Sequence, residues 1–216
     1  MDKSLVLDQV IIRKDGRTLI SIDETIEPGE VLTLMGPSGV GKSTLLAFVT
    51  GTLPGAFEAT GKVLLHGRVI TDLRPNERMV GILFQDDLLF PHLSVGQNLA
   101  FGLSPGGSRL ERREKIEQAL EDVGLAGFAD RDPATLSGGQ RARVALMRTL
   151  LAGPCALLLD EAFSRLDAAR RDQVRDMVFD RARILGLPVL MVTHDIDDAK
   201  AAGGRVITLG EIGTNP

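Results

Sequence analysis

The residues best equipped for chemistry lie in one stretch, Gly36-Pro37-Ser38-Gly39-Val40-Gly41-Lys42-Ser43-Thr44. It has the Gly-x-x-x-x-Gly-Lys-Ser spacing of a phosphate-binding loop. The apolar run Val31-Leu32-Thr33-Leu34-Met35 precedes it and Leu45-Leu46-Ala47-Phe48-Val49 follows, which reads as strand, loop and helix. Glycines let the backbone curl so that successive N–H groups line one concavity, and the positive end of the following helix adds to that nest. Lys42 is expected to reach the β- and γ-phosphates, and the Ser43 hydroxyl to ligate Mg²⁺. The stretch predicts binding of a nucleoside triphosphate.

Two further clusters suit the same chemistry. Leu157-Leu158-Leu159-Asp160-Glu161 reads as a buried strand whose end presents two acids. In a phosphate-loop protein the first, Asp160, is placed to hold Mg²⁺, and Glu161 to orient and deprotonate an attacking water. Leu136-Ser137-Gly138-Gly139-Gln140 opens a helix, and a serine hydroxyl beside small residues at a helix N-terminus suits an anion. One nucleotide does not need two such ends from one chain. The economical reading is a two-fold dimer in which the Ser137–Gln140 loop of each chain closes on the nucleotide of the other.

The elements that must position these residues follow from the pattern. Leu5 to Ile12 and Thr18 to Ile22 read as strands joined by a turn at Lys14-Asp15-Gly16-Arg17, and Gly51 to Gly61 reads as a loop. Lys62–Leu65 and Arg68–Ile70 flank a second turn at His66-Gly67, and Val80–Phe84 is a further strand. Helical spacing then takes over across Ser94–Leu103 and Arg109–Val123, with Ile116, Ala119, Leu120 and Val123 on one face. A third helix runs from the Ser137 loop to about Leu151. Ala156–Leu159 has the continuous apolar character of a parallel strand buried on both faces. Asp167 to Leu185 reads as an amphipathic helix with Val174, Met177, Val178, Ala182 and Leu185 inward; Pro188–Thr193 and Val206–Leu209 are the last strands. The expected fold is α/β: a P-loop NTPase core with an N-terminal antiparallel β subdomain and an inserted helical subdomain. Residues 1–216 form one domain, with 1–85 and 155–216 as core and 86–154 as the insert.

Composition narrows the classes. The 216 residues carry 29 acidic against 25 basic side chains, a net charge of −4 that gives no bulk attraction for nucleic acid. The single cysteine, Cys155, has no partner for an internal disulfide and is expected as buried filler. No window approaches the roughly 20 apolar residues of a membrane span, and the polar start lacks the apolar core of a signal peptide. The expectation is a cytoplasmic chain that meets the membrane through a partner.

Taken in order, the phosphate loop, Gln85, Leu136-Ser137-Gly138-Gly139-Gln140, Asp160-Glu161, Ser164-Arg165-Leu166-Asp167 and Thr193-His194-Asp195 resemble the motifs of ATP-binding subunits of ABC transporters. The resemblance spans essentially the whole chain. It implies an ATPase with ATP and Mg²⁺ as ligands, working as an ATP-dependent homodimer at the inner face of the membrane. By the same resemblance Gln85 contacts Mg²⁺ and the water and senses a membrane permease, Asp167 lies along the dimer seam, and His194 links the γ-phosphate to Glu161. The run Leu88-Leu89-Phe90-Pro91-His92-Leu93 beside Gln85 is the expected docking surface. Two departures stand out. Where family members usually stack an aromatic on adenine, this chain, with neither Trp nor Tyr, reads Ile12-Arg13-Lys14, so Arg13 is expected to stack instead and base selectivity to be looser. Ala162 replaces the proline that commonly follows the catalytic glutamate, which leaves that loop freer.

The segment Ser94 to Leu103 is similar to importers of iron, polyamines, sulfate and thiamine, which implies a permease together with a substrate-binding protein. Such importers often carry an extra C-terminal domain, which this chain is expected to lack. An ATPase of the exporter or lipoprotein-release kind is therefore the alternative. A soluble ABC ATPase of DNA maintenance would need a long coiled coil, and one of translation would need two cassettes.

Overall fold

A computed structural model describes residues 3–210, apart from the side chains of Ala168 and Ala169. The ends of the expected domain, Met1-Asp2 and 211–216, lie outside the described residues. Two compact units emerge among the described residues: those of 1–82, 155–161 and 179–216 form one, and those of 83–154 with 162–178 the other.

The first unit holds two sheets. The antiparallel sheet has the order β2-β1-β4-β5, with β1 at Leu5–Lys14, β2 at Arg17–Ile26, β4 at Glu58–Leu65 and β5 at Arg68–Val69. In β1 the buried residues are Leu5, Leu7, Val10 and Ile12. Strict alternation is interrupted once, because a bulge around Gln9 shifts the register between Leu7 and Val10 against β2 and between Asp8 and Ile11 against β4. Gly61 lies opposite that bulge with φ 90, and a Cβ there would stand 2.3 Å from the Gln9 carbonyl oxygen. This explains why β4 begins at Glu58, inside the stretch expected as loop: Gly61 is there for close backbone approach rather than to end a strand.

The second sheet has the order β6-β7-β8-β3-β9, from Val80–Phe84, Ala156–Asp160, Val189–Val192, Val31–Met35 and Arg205–Thr208. The β7–β8, β8–β3 and β3–β9 pairs are parallel. All four residues of β8 and the first four of β7 are buried, as a sheet covered on both faces requires. Helix α1 (Lys42–Thr50) buries Leu45, Leu46, Phe48 and Val49. These join Leu32, Leu34, Leu158 and Leu190 in one apolar cluster, against which Cys155, half-buried rather than fully buried, also packs. Truncating any of these leucines to alanine costs about 2–5 kcal/mol.

The second unit is helical. Helices α2 (Val95–Gly102), α3 (Arg109–Glu121) and α4 (Gly138–Leu151) each start at a serine, Ser94, Ser108 and Ser137, whose hydroxyl accepts the amide three residues on. In each case the Gln or Glu at that position returns the bond, a reciprocal cap on two orphan amides. Their core is Val95, Leu99, Leu120, Val123, Val144 and Met147 with their neighbours.

Helix α5 (Ala168–Leu185) ends differently from expectation. Leu185 is 50% exposed, whereas Phe179 and Leu187 are buried. The Leu187 amide donates to the Ala182 carbonyl and the Gly186 amide to that of Arg183. This Schellman-type close swings Leu187 into the core and leaves Leu185 outside. A short α6 (Ile196–Ala202), absent from the sequence reading, follows β8.

Candidate functional site

The phosphate loop joins β3 to α1. Gly36 has φ 150, and a Cβ on it would lie 2.5 Å from the Leu209 carbonyl oxygen, so the loop can start there only with glycine. Gly41 is the N-cap of α1 and offers no side-chain oxygen to the first-turn amides, the arrangement that leaves a helix N-terminus to an external anion. Pro37, Ser38 and Gly39 are exposed, Val40 is buried, and Thr44 is half-buried in the first turn. Lys42 is only 7% exposed. Its Nζ donates to the carbonyls of Gly36 (2.7 Å) and Pro37 (2.9 Å), which folds the ammonium over the loop it would share with a phosphate.

The two acids stand where β7 ends. The Ser43 hydroxyl donates to Oδ1 of Asp160 at 3.2 Å. Burial pushes the Asp160 carboxyl above its ordinary value and the neighbouring Glu161 adds to the rise, against the Ser43 hydrogen bond and the Lys42 charge. A carboxylate held in such surroundings gains from a cation. Among the described residues there is no group of three or more His, Cys, Asp or Glu side chains set to hold a metal. One hydroxyl and one carboxylate nevertheless fit Mg²⁺, which takes few protein ligands and completes its shell with phosphate oxygens and water.

Glu161 has φ 49, a left-handed backbone that costs a non-glycine residue on the order of 1–3 kcal/mol. Its amide donates to the Val192 carbonyl at 3.0 Å. The adjacent strand β8 then delivers His194, whose Nδ1 stands 3.3 Å from Oε1 of Glu161. The first unit thus brings Lys42, Ser43, Asp160, Glu161 and His194 to one end of the parallel sheet. Arg13, near the end of β1 and half-buried, is a register partner of Thr18 and Glu58 in the antiparallel sheet.

The remaining candidates belong to the helical unit. Ser137 and Gln140 cap α4, with Gly138 and Gly139 as its first residues, so the serine hydroxyl already accepts one bond and retains its own proton to donate. The Asp167 carboxylate accepts the Arg170 amide at the start of α5 and pairs with the Arg170 guanidinium at 3.3 Å. Gln85 is exposed and lines a cavity of about 390 Å³ with Asp87, Leu88, Leu89, Pro91 and Arg141. The apolar run divides: Leu88 is 57% exposed, while Phe90 packs edge-on to Phe101 at 4.8 Å.

Sequence reasoning missed the residues that build this surface. Asn98, fully buried, accepts the Phe90 amide and donates to the carbonyls of Phe90, Leu93 and Ser94. Arg148 donates to the carbonyls of Leu88 and Asp87. Arg141 pairs with the Asp87 carboxylate at 3.2 Å, and Arg165 pairs with Asp86. Polar residues on otherwise apolar helix faces were the available signal.

Comparison with known proteins agrees with this geometry. The family described as ABC transporter matches residues 19–164. The chain is 51% identical over 187 residues to the uncharacterized ABC transporter ATP-binding protein YnjD of Escherichia coli (strain K12), covering 87% of this chain and 86% of that one. It is 44% identical over 209 residues to the thiamine import ATP-binding protein ThiQ of Cereibacter sphaeroides, covering 96% and 88%. It is 45% identical over 188 residues to the Fe(3+) ions import ATP-binding protein FbpC of Agrobacterium fabrum, covering 87% of this chain but 52% of that one, so it spans about half the length of that relative. With a phosphate loop, a strand-end acid pair and these relatives in register, the chain belongs to the ABC transporter family as an ATP-binding ATPase subunit.

Proposed function

We propose that the chain energises solute uptake through a separate membrane permease, with a substrate-binding protein supplying the solute, and works as a homodimer that encloses two ATP molecules. The observation that carries the chemical reading is the approach of His194 to Glu161 beside the Ser43–Asp160 pair. The α/β core, 1–85 and 155–216, holds the nucleotide by Gly36–Thr44, with Arg13 against the base. Lys42 leaves the Gly36 and Pro37 carbonyls for the β- and γ-phosphates. Ser43 and Asp160 would hold Mg²⁺, with Gln85 as its further contact, and the ion would supply positive charge against the phosphate oxygens. Glu161 takes the proton of the attacking water, and His194 holds the Glu161 carboxylate and the γ-phosphate in register. Ser137–Gln140 of the second chain close the site, with Asp167 at the seam.

The helical subdomain, 86–154, carries the permease at the cavity beside Gln85, where exposed Leu88 offers an apolar contact. None of the helices among the described residues is long and apolar enough to cross a membrane. Uptake is favoured because two relatives are named as importers, of thiamine and of Fe(3+) ions. Glu161→Gln tests the chemistry: it should keep ATP binding, sediment as a dimer with ATP, and lose at least about 100-fold in turnover. Hydrolysis at a near-normal rate would overturn the assignment of the base.

A further inference from the structure

Arg78 stands two residues before β6 and is 6% exposed, a permanently charged group inside the first unit. Its Nε donates to the Leu73 carbonyl at 2.9 Å and one terminal nitrogen donates to the Thr71 carbonyl. The other terminal nitrogen reaches the carbonyls of Phe48 (2.8 Å) and Val49 (3.0 Å). Phe48 and Val49 lie in the last turn of α1, where the helix dipole is negative and the Gly51 amide donates to the Phe48 carbonyl at 3.2 Å, leaving room on these carbonyls for a further donor. The guanidinium therefore caps the far end of the helix whose near end carries Lys42 and Ser43. Gly51, the C-cap residue, makes room for it: a Cβ there would meet the Arg78 Nε at 2.6 Å.

We propose that Arg78 is a positioning residue that makes α1, the 71–78 loop and the start of β6 move as one body. Phosphate seated at the N-terminus of α1 is then felt along β6, which leads in the chain to Gln85. The inference rests on the reading that Gly36–Thr44 bind the triphosphate. Nine residues of helix span only about 13 Å and do not bend on that scale, so a shift at one end arrives at the other. Four hydrogen bonds from a planar fork fix orientation as well as distance; a lysine ammonium keeps the charge but not the plane.

The test is hydrogen–deuterium exchange on the full chain at saturating ATP in EDTA, which removes any metal contact to Gln85. In the natural protein, ATP should slow exchange about fivefold or more over 36–50 and also over 71–84. Arg78→Lys should keep the slowing over 36–50, with ATP affinity within about threefold, and lose it over 71–84. The same slowing at 71–84 in Arg78→Lys as in the natural chain would overturn the proposal. So would slowing confined to 36–50 in the natural chain, a result that needs no variant to fold. No change at 36–50 would instead overturn the phosphate-loop reading, and the proposal with it.

Discussion

Asp160 is the residue where folding and chemistry pull in opposite directions. Its carboxyl is driven above the ordinary value of 3.8 by burial and by Glu161. Between the ordinary and the raised value the folded chain holds a proton that the unfolded chain has released. Stability from this group is therefore lost as pH rises through that window. Asp160→Asn should raise the melting temperature of the nucleotide-free protein at pH 7 while weakening the metal dependence of ATP binding; an unchanged or lower melting temperature would contradict the burial argument. Lys42 makes a second prediction at this scale. Its ammonium spends its hydrogen bonds on Gly36 and Pro37 until phosphate replaces them. Charge-assisted bonds contribute about 1.5–3 kcal/mol, so Lys42→Ala should weaken ATP binding about 10- to 100-fold by titration calorimetry. Retained tight binding would count against the loop as the triphosphate cradle.

Elements explain which parts of the molecule were legible in the sequence. Strand, loop and helix around Gly36–Thr44 were readable because apolar runs and glycines there serve one purpose each. The β4 start was not, since Gly61 looks like a loop signal until the Gln9 bulge is seen opposite it. Leu185 stays outside the core although its spacing points inward, because helical periodicity says nothing of where a helix overruns its core. In the site, the loop and both acids announced themselves, but Asn98 and Arg148 did not, because their work is to satisfy backbone carbonyls that no sequence displays. Asn98→Ala should leave the Phe90 amide and three carbonyls without this partner. The expected loss is about 2–4 kcal/mol in urea unfolding; a change under about 0.5 kcal/mol would remove Asn98 as the pin of the 90–94 segment.

At the scale of the whole molecule, each chain carries one phosphate loop and one Ser137–Gln140 helix start, in different compact units. The proposed dimer sets the phosphate loop of one copy and the Ser137–Gln140 helix start of the other on either side of one nucleotide, so neither copy hydrolyses ATP unaided. The most direct test is the ATPase rate per chain as protein concentration falls from micromolar to nanomolar, with sedimentation followed in parallel. The account predicts a rate per chain that drops as the dimer dissociates. A rate per chain that stays constant where sedimentation finds only monomers would contradict it.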